Sequence, residues 1–272
     1  MSSLAERLGA IALIGGGKMG EAIVSGLVNG ALFDPESLTV ADPGEARRRH
    51  LSEVYAVRCV ADGSEIEGAT TAILAVKPQV LRDICERLAS APAFCPTRVI
   101  SIAAGITTTT LRSFFSDASI VRVMPNTPLM VGAGMSAVST AEGTPRADGE
   151  LVCSLFSLMG DAVLVEESQL DAVTALSGSG PAYFALFVEE LVTAGAAAGL
   201  APEVAQTLAR QTLVGTARYL ELTDITPAAL REAVTSPGGT TAAALADFAS
   251  HDFGGIVHSA VHAALRRAKE LA

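Results

Sequence analysis

The sequence predicts an α/β fold, with a doubly wound parallel sheet in an N-terminal domain (residues 1–166) and an all-helical C-terminal domain (residues 167–272). Three observations support this prediction. A glycine-rich turn follows the first apolar run of the chain. Short, continuously apolar runs then alternate with helical patterns, which is typical of a parallel sheet covered on both faces. From Ser168 onward the periodicity is helical, and no strand candidate is longer than a few residues.

The first element is a short apolar strand that leads into a glycine turn and a helix. Gly15, Gly17 and Gly20 match the G-x-G-x-x-G pattern of Rossmann-type dinucleotide-binding domains. The first glycine allows the tight turn, the second lets the backbone approach a pyrophosphate, and the third allows close packing of helix on strand. The helix start, at Lys18 and Met19, offers N–H groups to an anion. A plain glycine-rich turn is the alternative, but strand, glycines and helix occur in the order that the motif requires.

The remaining elements of the N-terminal domain follow in alternation. A second strand at 38–41 ends before Asp42, and a surface helix then carries Arg47, Arg48 and Arg49. Further strands are expected at 56–60, 71–76, 99–102, 120–123, 134–139 and 162–165, and further helices at about 80–89 and 151–158.

The segments that end these strands are the candidate cofactor residues, because ligands of a doubly wound sheet bind outside the carboxyl ends of its strands. Asp42 lies 22 residues after Gly20, where an acidic residue can hold the adenosine ribose hydroxyls. Asp62 lies on the next loop of the same edge. Lys77 could contact the nicotinamide ribose or a phosphate, and a solvated lysine is the alternative. The other predicted cofactor contacts are Ala75, Val76, Pro78, Ala103, Asn126 and Thr127.

The C-terminal domain is expected to contain a series of helices. Residues 168–200 form one long apolar helical pattern that Pro181 should kink or break. Small and apolar residues dominate this domain and few charges could solvate an outer face, so it is expected to bury part of its surface against a second copy. A self-contained bundle is the alternative. Further helices are expected at 202–220, from about 226 to 236, at 241–250 and at 254–271.

Composition argues against several classes of protein. With a formal charge of −10, binding to nucleic acid or to an anionic membrane surface is not expected. No run of eighteen uninterrupted apolar residues occurs, so no transmembrane helix is expected. The N-terminus lacks the apolar core of a secretory signal and the cysteines form no C-x-x-C pair, which indicates a cytoplasmic protein with reduced thiols. His258 and His262 share a helix face, but a polar stripe is expected there rather than a metal site.

Six motifs carry a resemblance to one family, and they lie at 14–20, 75–78, 101–105, 122–128, 176–183 and 236–241. In sequence, order and spacing they resemble pyrroline-5-carboxylate reductase over nearly the whole chain, and the motif at 236–241 is the most specific. The resemblance implies reduction of L-1-pyrroline-5-carboxylate to L-proline by hydride transfer from NADPH or NADH, the last step of proline biosynthesis. It also implies a homodimer, often assembled as a decamer of five dimers, with each active site lined by both subunits of a dimer.

The motif Ser236-Pro237-Gly238-Gly239-Thr240-Thr241 is also suited to the chemistry of that substrate, which has a carboxylate and a C=N bond. The two glycines should leave backbone N–H groups bare where a helix starts, and the two threonine hydroxyls add donors. A helix stop followed by an ordinary threonine N-cap is the alternative. The resemblance places Thr241, the candidate catalytic residue, beside the ring nitrogen as a hydrogen-bond partner or proton relay. It also places Ser179 in the floor of the substrate pocket.

The choice of cofactor is left open, with a slight preference for NADH. Asp42 would repel a 2′-phosphate and Asp62 adds negative charge, whereas Arg47 and Arg48 could compensate if they fold back.

Two other functions are weighed against the reductase. A 3-hydroxyacid dehydrogenase, or a related imine reductase, has a similar domain layout. Alcohol oxidation needs a base, however, and residues 168–200 contain no Lys or Arg. A dinucleotide-binding sensor without turnover would have no use for a carboxylate pocket.

Overall fold

The computed structural model describes residues 3–30 and 33–271. The described chain divides by its contacts into two compact units, which we call unit 1 (residues up to 179, together with 264–271) and unit 2 (residues 180–263). The predicted domain boundary at 166/167 stays a prediction. The contact boundary falls later because residues 167–179 pack on the sheet, where Met124 contacts Gly178.

Unit 1 contains an eight-stranded sheet whose strands follow the order β3-β2-β1-β4-β5-β6-β7-β8. The strands are β1 Ile11–Ile14, β2 Leu38–Ala41, β3 Arg58–Val60, β4 Thr71–Leu74, β5 Arg98–Ser101, β6 Ser119–Pro125, β7 Gly134–Thr140 and β8 Gly160–Leu164. All neighbouring pairs are parallel except β6 and β7. The predicted doubly wound parallel sheet is confirmed, with this one antiparallel pair in it. Only a 3₁₀ turn, Thr127–Val131, connects the two strands, and a parallel connection would need a much longer crossover.

The helices of unit 1 include two that the sequence did not predict. They are α1 Leu4–Leu8, α2 Lys18–Asn29, α3 Glu45–Tyr55, α4 Pro78–Ala89, α5 Thr108–Phe114, α6 Arg146–Phe156 and α7 Leu170–Val173. The unpredicted α1 is a short helix that begins with a capping box between Ser3 and Glu6. The unpredicted α5 starts with β-branched threonines of low helix propensity, but Thr107 caps it and Leu111 is buried.

The core lies on both faces of the sheet, as expected for a doubly wound fold. Leu13 and Ile73 lie in the apolar cluster that includes α2 and α6, whereas Ala12 and Ala72 lie in the cluster that includes α4 and α5. Every residue of β1, β2 and β4 is buried. This explains why these strands read as continuous apolar runs.

The long helical pattern at 168–200 does not form one α-helix. After α7, a π turn spans Thr174–Gly178, and the Ser179 N–H donates to the Thr174 carbonyl. A new helix then begins at Gly180, so the interruption predicted from Pro181 is confirmed. Proline lacks the N–H that would continue the ladder.

Unit 2 is helical, as predicted. It contains α8 Gly180–Ala197, α9 Pro202–Thr223, α10 Pro227–Ala233, α11 Thr240–Ser250 and the first part of α12 Phe253–Leu271. Gly195 of α8 lies against Ala205 of α9. Large apolar side chains remain exposed in this unit, among them Phe184 (62%) and Leu222 (70%). Among the described residues, no helix has both the length and the hydropathy to cross a membrane.

Candidate functional site

The glycine loop (residues 15–20) connects β1 to α2 at the carboxyl edge of the sheet. Gly15 has φ of +104°, and a Cβ there would lie 2.7 Å from the Ala75 carbonyl oxygen. A Cβ on Gly20 would overlap the Gly15 carbonyl, so the start of α2 approaches the loop as closely as a glycine allows. Gly17 is the N-cap of α2, and among the described residues no atom beyond its chain neighbours lies within 4 Å of the position its Cβ would take. The loop therefore presents the N-terminus of α2 with open space in front of it.

The glycine loop lies at the point where the direction of the strand order changes. The chain passes from β1 outward through β2 and β3, and then returns to β4 on the other side of β1. The Gly15 N–H donates to Ala41 and the Ala75 N–H donates to Ile14, so Gly15, Asp42 and Ala75 all lie at the same edge. In open α/β sheets this crevice is where ligands bind.

Asp42 is held at the start of this crevice by two backbone donors. Its Oδ2 accepts from the Gly16 N–H at 2.9 Å and its Oδ1 from the Gly44 N–H at 2.8 Å. Each oxygen keeps acceptor capacity, because an ionised carboxylate offers about four acceptor positions. The half-buried carboxylate can therefore accept from ribose hydroxyls without losing its anchors.

Asp62 does not carry an uncompensated charge, because Arg87 of α4 pairs with it at 2.9 Å. The backbone hydrogen bond from Ser64 lowers the pKa of Asp62, and the charge of Arg87 contributes to the same shift. The pair borders a cavity of about 130 Å³ lined also by Ile14, Ala41, Pro43, Val76, Ile84 and Leu88. Arg87 was not predictable from the sequence, because nothing in the helical pattern of α4 marks which residues face the crevice.

Two of the three arginines on α3, Arg47 and Arg48, fold back toward the crevice. Arg48 Nη1 donates to the carbonyls of Asp42 and Pro43, each at 2.8 Å. Arg47 donates to the carbonyls of Gly16 and Gly17 and pairs with Glu21. Their partners are protein groups, and compensation of Asp42 by these arginines toward a 2′-phosphate stays a prediction.

The two lysines of the predicted cofactor site are exposed. Lys18 is the first residue of α2, and Lys77 is the N-cap of α4 with Pro78 at its first position. Thr127 is exposed at the start of the 3₁₀ turn after β6. Ala75 and Val76 are half-buried between β4 and α4. Contact of these residues with a cofactor stays a prediction.

Asn126 has a structural role that the sequence did not reveal. Its Oδ1 accepts from the Met135 N–H at 2.9 Å, and its Nδ2 lies 3.3 Å from Ser177 Oγ. It therefore connects the end of β6 to β7 and to the π turn. Ala103 is buried and its N–H donates to Ser101 Oγ. Both residues lie at the predicted edge, and their contact with a cofactor stays a prediction.

The loop that contains Ala103 leads into α5, and the start of α5 is held by a buried ion pair. Glu167 accepts from Arg122 Nη1 at 2.6 Å and from the Thr108 N–H and hydroxyl at 2.7 and 2.5 Å. Burial alone would raise the pKa of Glu167. The hydrogen bonds from Thr108 and Arg122 outweigh that effect and hold the pKa below its ordinary value. Arg122 is 8% exposed, so its pairing with Glu167 is needed to offset the free-energy cost of burying its charge.

The predicted substrate motif, which we call the substrate segment (residues 236–241), connects α10 to α11 in unit 2. Gly238 has φ of +71°, a left-handed conformation that favours glycine. The Gly239 N–H donates to the Ser236 carbonyl at 3.0 Å. The expectation that both glycine N–H groups are bare is therefore wrong for Gly239, whose N–H closes the turn.

The free N–H donors of the substrate segment lie on the residues that follow Gly239. The N-cap of α11 is Gly239, and its first backbone bond runs from the Ala243 N–H to the Gly239 carbonyl. The N–H groups of Thr240, Thr241 and Ala242 precede that bond and face outward from the helix start. Thr241 is the second helical residue, so the alternative of a threonine N-cap is wrong.

The predicted substrate residues fall in both units. Ser179 ends unit 1 directly after the π turn, whereas the substrate segment lies wholly in unit 2. Ser236 and Thr240 are exposed and Thr241 is half-buried. Within the described part of the chain, the Thr241 hydroxyl has no hydrogen-bond partner, so it remains available to a ligand.

Comparison with known proteins covers both halves of the chain. Residues 167–271 match the family model described as pyrroline-5-carboxylate reductase dimerisation. Residues 10–105 match the model described as NADP oxidoreductase, coenzyme F420-dependent.

Individual relatives match nearly the full length. A pyrroline-5-carboxylate reductase of Synechocystis is 42% identical over 262 residues, which cover 96% of this chain and 97% of the relative. The structure of a pyrroline-5-carboxylate reductase from Coxiella burnetii matches with a TM-score of 0.90 and 35% identity over 97% of this chain and 99% of that one. The Plasmodium falciparum pyrroline carboxylate reductase, solved with NADP bound, matches with a TM-score of 0.83 and 28% identity over 97% of this chain and 98% of that one.

Proposed function

Because this chain belongs to the pyrroline-5-carboxylate reductase family, we propose that one of its units binds the cofactor and the other binds the substrate. The enzyme is an NAD(P)H-dependent oxidoreductase that reduces L-1-pyrroline-5-carboxylate to L-proline, the last step of proline biosynthesis. In our proposal the crevice of unit 1 holds the dinucleotide, and the substrate segment of unit 2 holds the imine.

The residues of unit 1 fit a dinucleotide. The open space before Gly17 and the helix N-terminus suit the pyrophosphate, and the anchored Asp42 carboxylate suits the ribose hydroxyls. The cavity beside Arg87 and Asp62 can take the adenine ring. The bound cofactor supplies a hydride, and the protein has to place the acceptor carbon of the imine beside it.

The observation that carries the substrate proposal is the free N-terminal turn of α11. Its N–H groups at Thr240, Thr241 and Ala242 and the positive end of the helix dipole can bind the substrate carboxylate. The exposed Ser236 hydroxyl adds a donor next to Gly238 and Gly239, which have no side chains in the way.

Thr241 is proposed as the residue that meets the ring nitrogen. A protonated imine is already positive and accepts hydride without a strong general acid. A hydroxyl at the second position of α11 can hydrogen-bond the nitrogen as it becomes an amine. Ser179 is proposed as a further substrate-binding residue.

For the cofactor we propose a slight preference for NADH over NADPH. Asp42 lies where a 2′-phosphate would be repelled, and Arg47 and Arg48 are already bonded to protein carbonyls. A preference for NADPH would require one of these guanidinium groups to reach the added phosphate as well.

The assembly is proposed to be a homodimer formed through unit 2, and five dimers are proposed to form a decamer. The exposed Phe184, Phe187 and Leu222 support association, because an isolated helical unit would leave these side chains in water. We further propose a cytoplasmic location, no nucleic-acid or membrane partner, and the domain boundary at 166/167. Sedimentation at low protein concentration tests the dimer, and a stable, active monomer would contradict it.

The activity is tested by incubating the purified protein with pyrroline-5-carboxylate and either reduced cofactor. Cofactor oxidation and proline formation should match one to one. Binding of NADH or NADPH without turnover would instead support a dinucleotide sensor.

A further inference from the structure

Arg47 of α3 contacts two peptide groups of the glycine loop, and the role inferred for it rests on the dinucleotide lying at that loop, as proposed above. Arg47 Nε donates to the Gly16 carbonyl, and Nη2 donates to the Gly17 carbonyl at 3.2 Å. The same Nη2 contacts Glu21 Oε2 at 2.5 Å. One side chain therefore connects two consecutive loop carbonyls to the first turn of α2.

These two carbonyls belong to the peptide groups whose N–H atoms would bind a pyrophosphate. The Gly16 carbonyl shares a peptide unit with the Gly17 N–H, and the Gly17 carbonyl shares one with the Lys18 N–H. In a trans peptide the C=O and N–H point in opposite directions. Arg47 holds the Gly16 oxygen, and it shares the Gly17 oxygen with the Glu21 N–H of α2, which donates at 2.8 Å. With both oxygens held on one side, the two N–H groups point to the other side, toward the open space before Gly17.

The remaining contacts of the loop support a role in orientation. The Gly16 N–H is bound by Asp42 and the Gly15 N–H by Ala41, so these groups are unavailable to a phosphate. Among the described residues, nothing accepts from the N–H groups of Gly17 or Lys18. The N–H groups of Met19 and Gly20 also precede the first backbone bond of α2, which runs from Glu21 to Gly17. Within this set of free donors, the N–H groups of Gly17 and Lys18 are the two whose carbonyl partners contact Arg47.

Glu21 keeps Arg47 in this position. Its carboxylate pairs with Arg47 and also lies 2.7 Å from His50 Nε2 and 3.3 Å from the Tyr55 hydroxyl. The side chains of Arg47 and Glu21 are 27% and 24% exposed, so the pair is largely shielded from solvent.

We propose that Arg47 is a positioning residue for the cofactor pyrophosphate, acting through the glycine loop, and that it serves NADH and NADPH equally. A residue that bound the 2′-phosphate directly would behave differently, because its removal would weaken the binding of NADPH alone. The distinction can be measured without turnover.

The test is the dissociation constant of each reduced cofactor, measured by nicotinamide fluorescence in the absence of substrate, for the wild type and for Arg47→Ala. We expect both constants to rise by a similar factor, roughly five- to thirtyfold. Arg47→Lys should also weaken both, since a single ammonium cannot hold two carbonyls and Glu21 together. That variant decides the question if Arg47→Ala fails to fold.

Arg49→Ala is the matched control, because Arg49 lies on the same helix, is exposed, and pairs only with Glu45 among its described neighbours. Its dissociation constants should equal those of the wild type. Loss of NADPH affinity alone in the Arg47 variants, or unchanged affinity for both cofactors in a folded variant, would overturn the inference. If the wild type itself bound neither cofactor, the proposed site would fail rather than the role of Arg47.

Discussion

Arg122 and Glu167 form a largely buried ion pair, with Nη1 of the arginine 2.6 Å from Oε1 of the glutamate. Arg122 comes from β6, and Glu167 is the first residue of the segment that matches the dimerisation family model. Because Glu167 also binds the start of α5 through Thr108, the pair fixes the segment after β8 to the loop that follows β5. This relationship links the sheet to the beginning of the C-terminal region.

Replacing Arg122 by alanine should destabilise unit 1 by about 2–4 kcal/mol. The substitution leaves the Glu167 carboxylate without its countercharge in a partly buried position. Chemical denaturation measures the loss. Arg146→Ala is the control, since the Arg146–Glu150 pair is exposed and should contribute less than about 1 kcal/mol. Equal effects from the two substitutions would contradict the role given to the buried pair.

The free energy of unfolding that Glu167 contributes should decrease as the pH falls. Its pKa in the fold lies below the ordinary value, so the contribution is complete above the unfolded pKa of about 4.3 and is lost as the pH falls through the folded pKa. The melting temperatures of the wild type and Glu167→Gln should therefore differ by a constant amount near neutral pH and converge in acid. A difference in melting temperature that widened as the pH fell would contradict a lowered pKa for Glu167 in the fold.

Gly17→Ala should separate cofactor binding from folding. Gly17 has an ordinary φ of −61° and open space at its Cβ position, so the free energy of unfolding should change by less than about 1 kcal/mol. The added methyl group would occupy the space proposed for the pyrophosphate, and the dissociation constants of both cofactors should rise. Gly15→Ala should instead destabilise the fold through its φ of +104°. A Gly17 variant with wild-type affinity would place the pyrophosphate elsewhere.

Asp42→Asn should lower kcat/KM for NADH more than for NADPH. The amide loses the negative charge and part of the acceptor capacity that suit ribose hydroxyls, while the repulsion of a 2′-phosphate is relieved. A change in the NADH-to-NADPH ratio of about fivefold or more is expected, equivalent to about 1 kcal/mol. A large NADPH preference in the wild type, unaffected by Asp42→Asn, would refute the proposed preference for NADH.

Much of the fold was predictable because its strongest signals are local. β1, β2 and β4 are buried on both faces, and their continuous apolar runs predicted them directly. The antiparallel pairing of β6 with β7 was not predictable from those runs, since both strands are apolar in either direction. Its only signal was the short connection between them. The π turn at 174–178 was not predictable either, because over so few residues its apolar periodicity is the same as that of an α-helix.

The position of several candidate residues at one sheet edge was predictable, whereas their contacts were less so. The glycine motif and the strand ends placed Gly15, Asp42 and Ala75 at one edge, and the structure has them there. The pairing of Asp62 with Arg87, the contacts of Arg47 with loop carbonyls, and the structural bonds of Asn126 all join residues distant in sequence. Such contacts depend on tertiary packing that no local pattern records.

The central claim is that Thr241 contacts the reacting nitrogen, and the kcat of Thr241→Ala tests it most directly. Because Thr241 is the second residue of α11 and not its N-cap, the substitution should leave the melting temperature nearly unchanged. Thr207→Ala, on an exposed face of α9, is the control for loss of a threonine hydroxyl. Thr241→Ser should restore most of the activity, and the affinity for NADH should not change. We predict that kcat and kcat/KM of Thr241→Ala both fall by roughly ten- to a hundredfold. A folded Thr241→Ala protein with wild-type kcat would contradict the account.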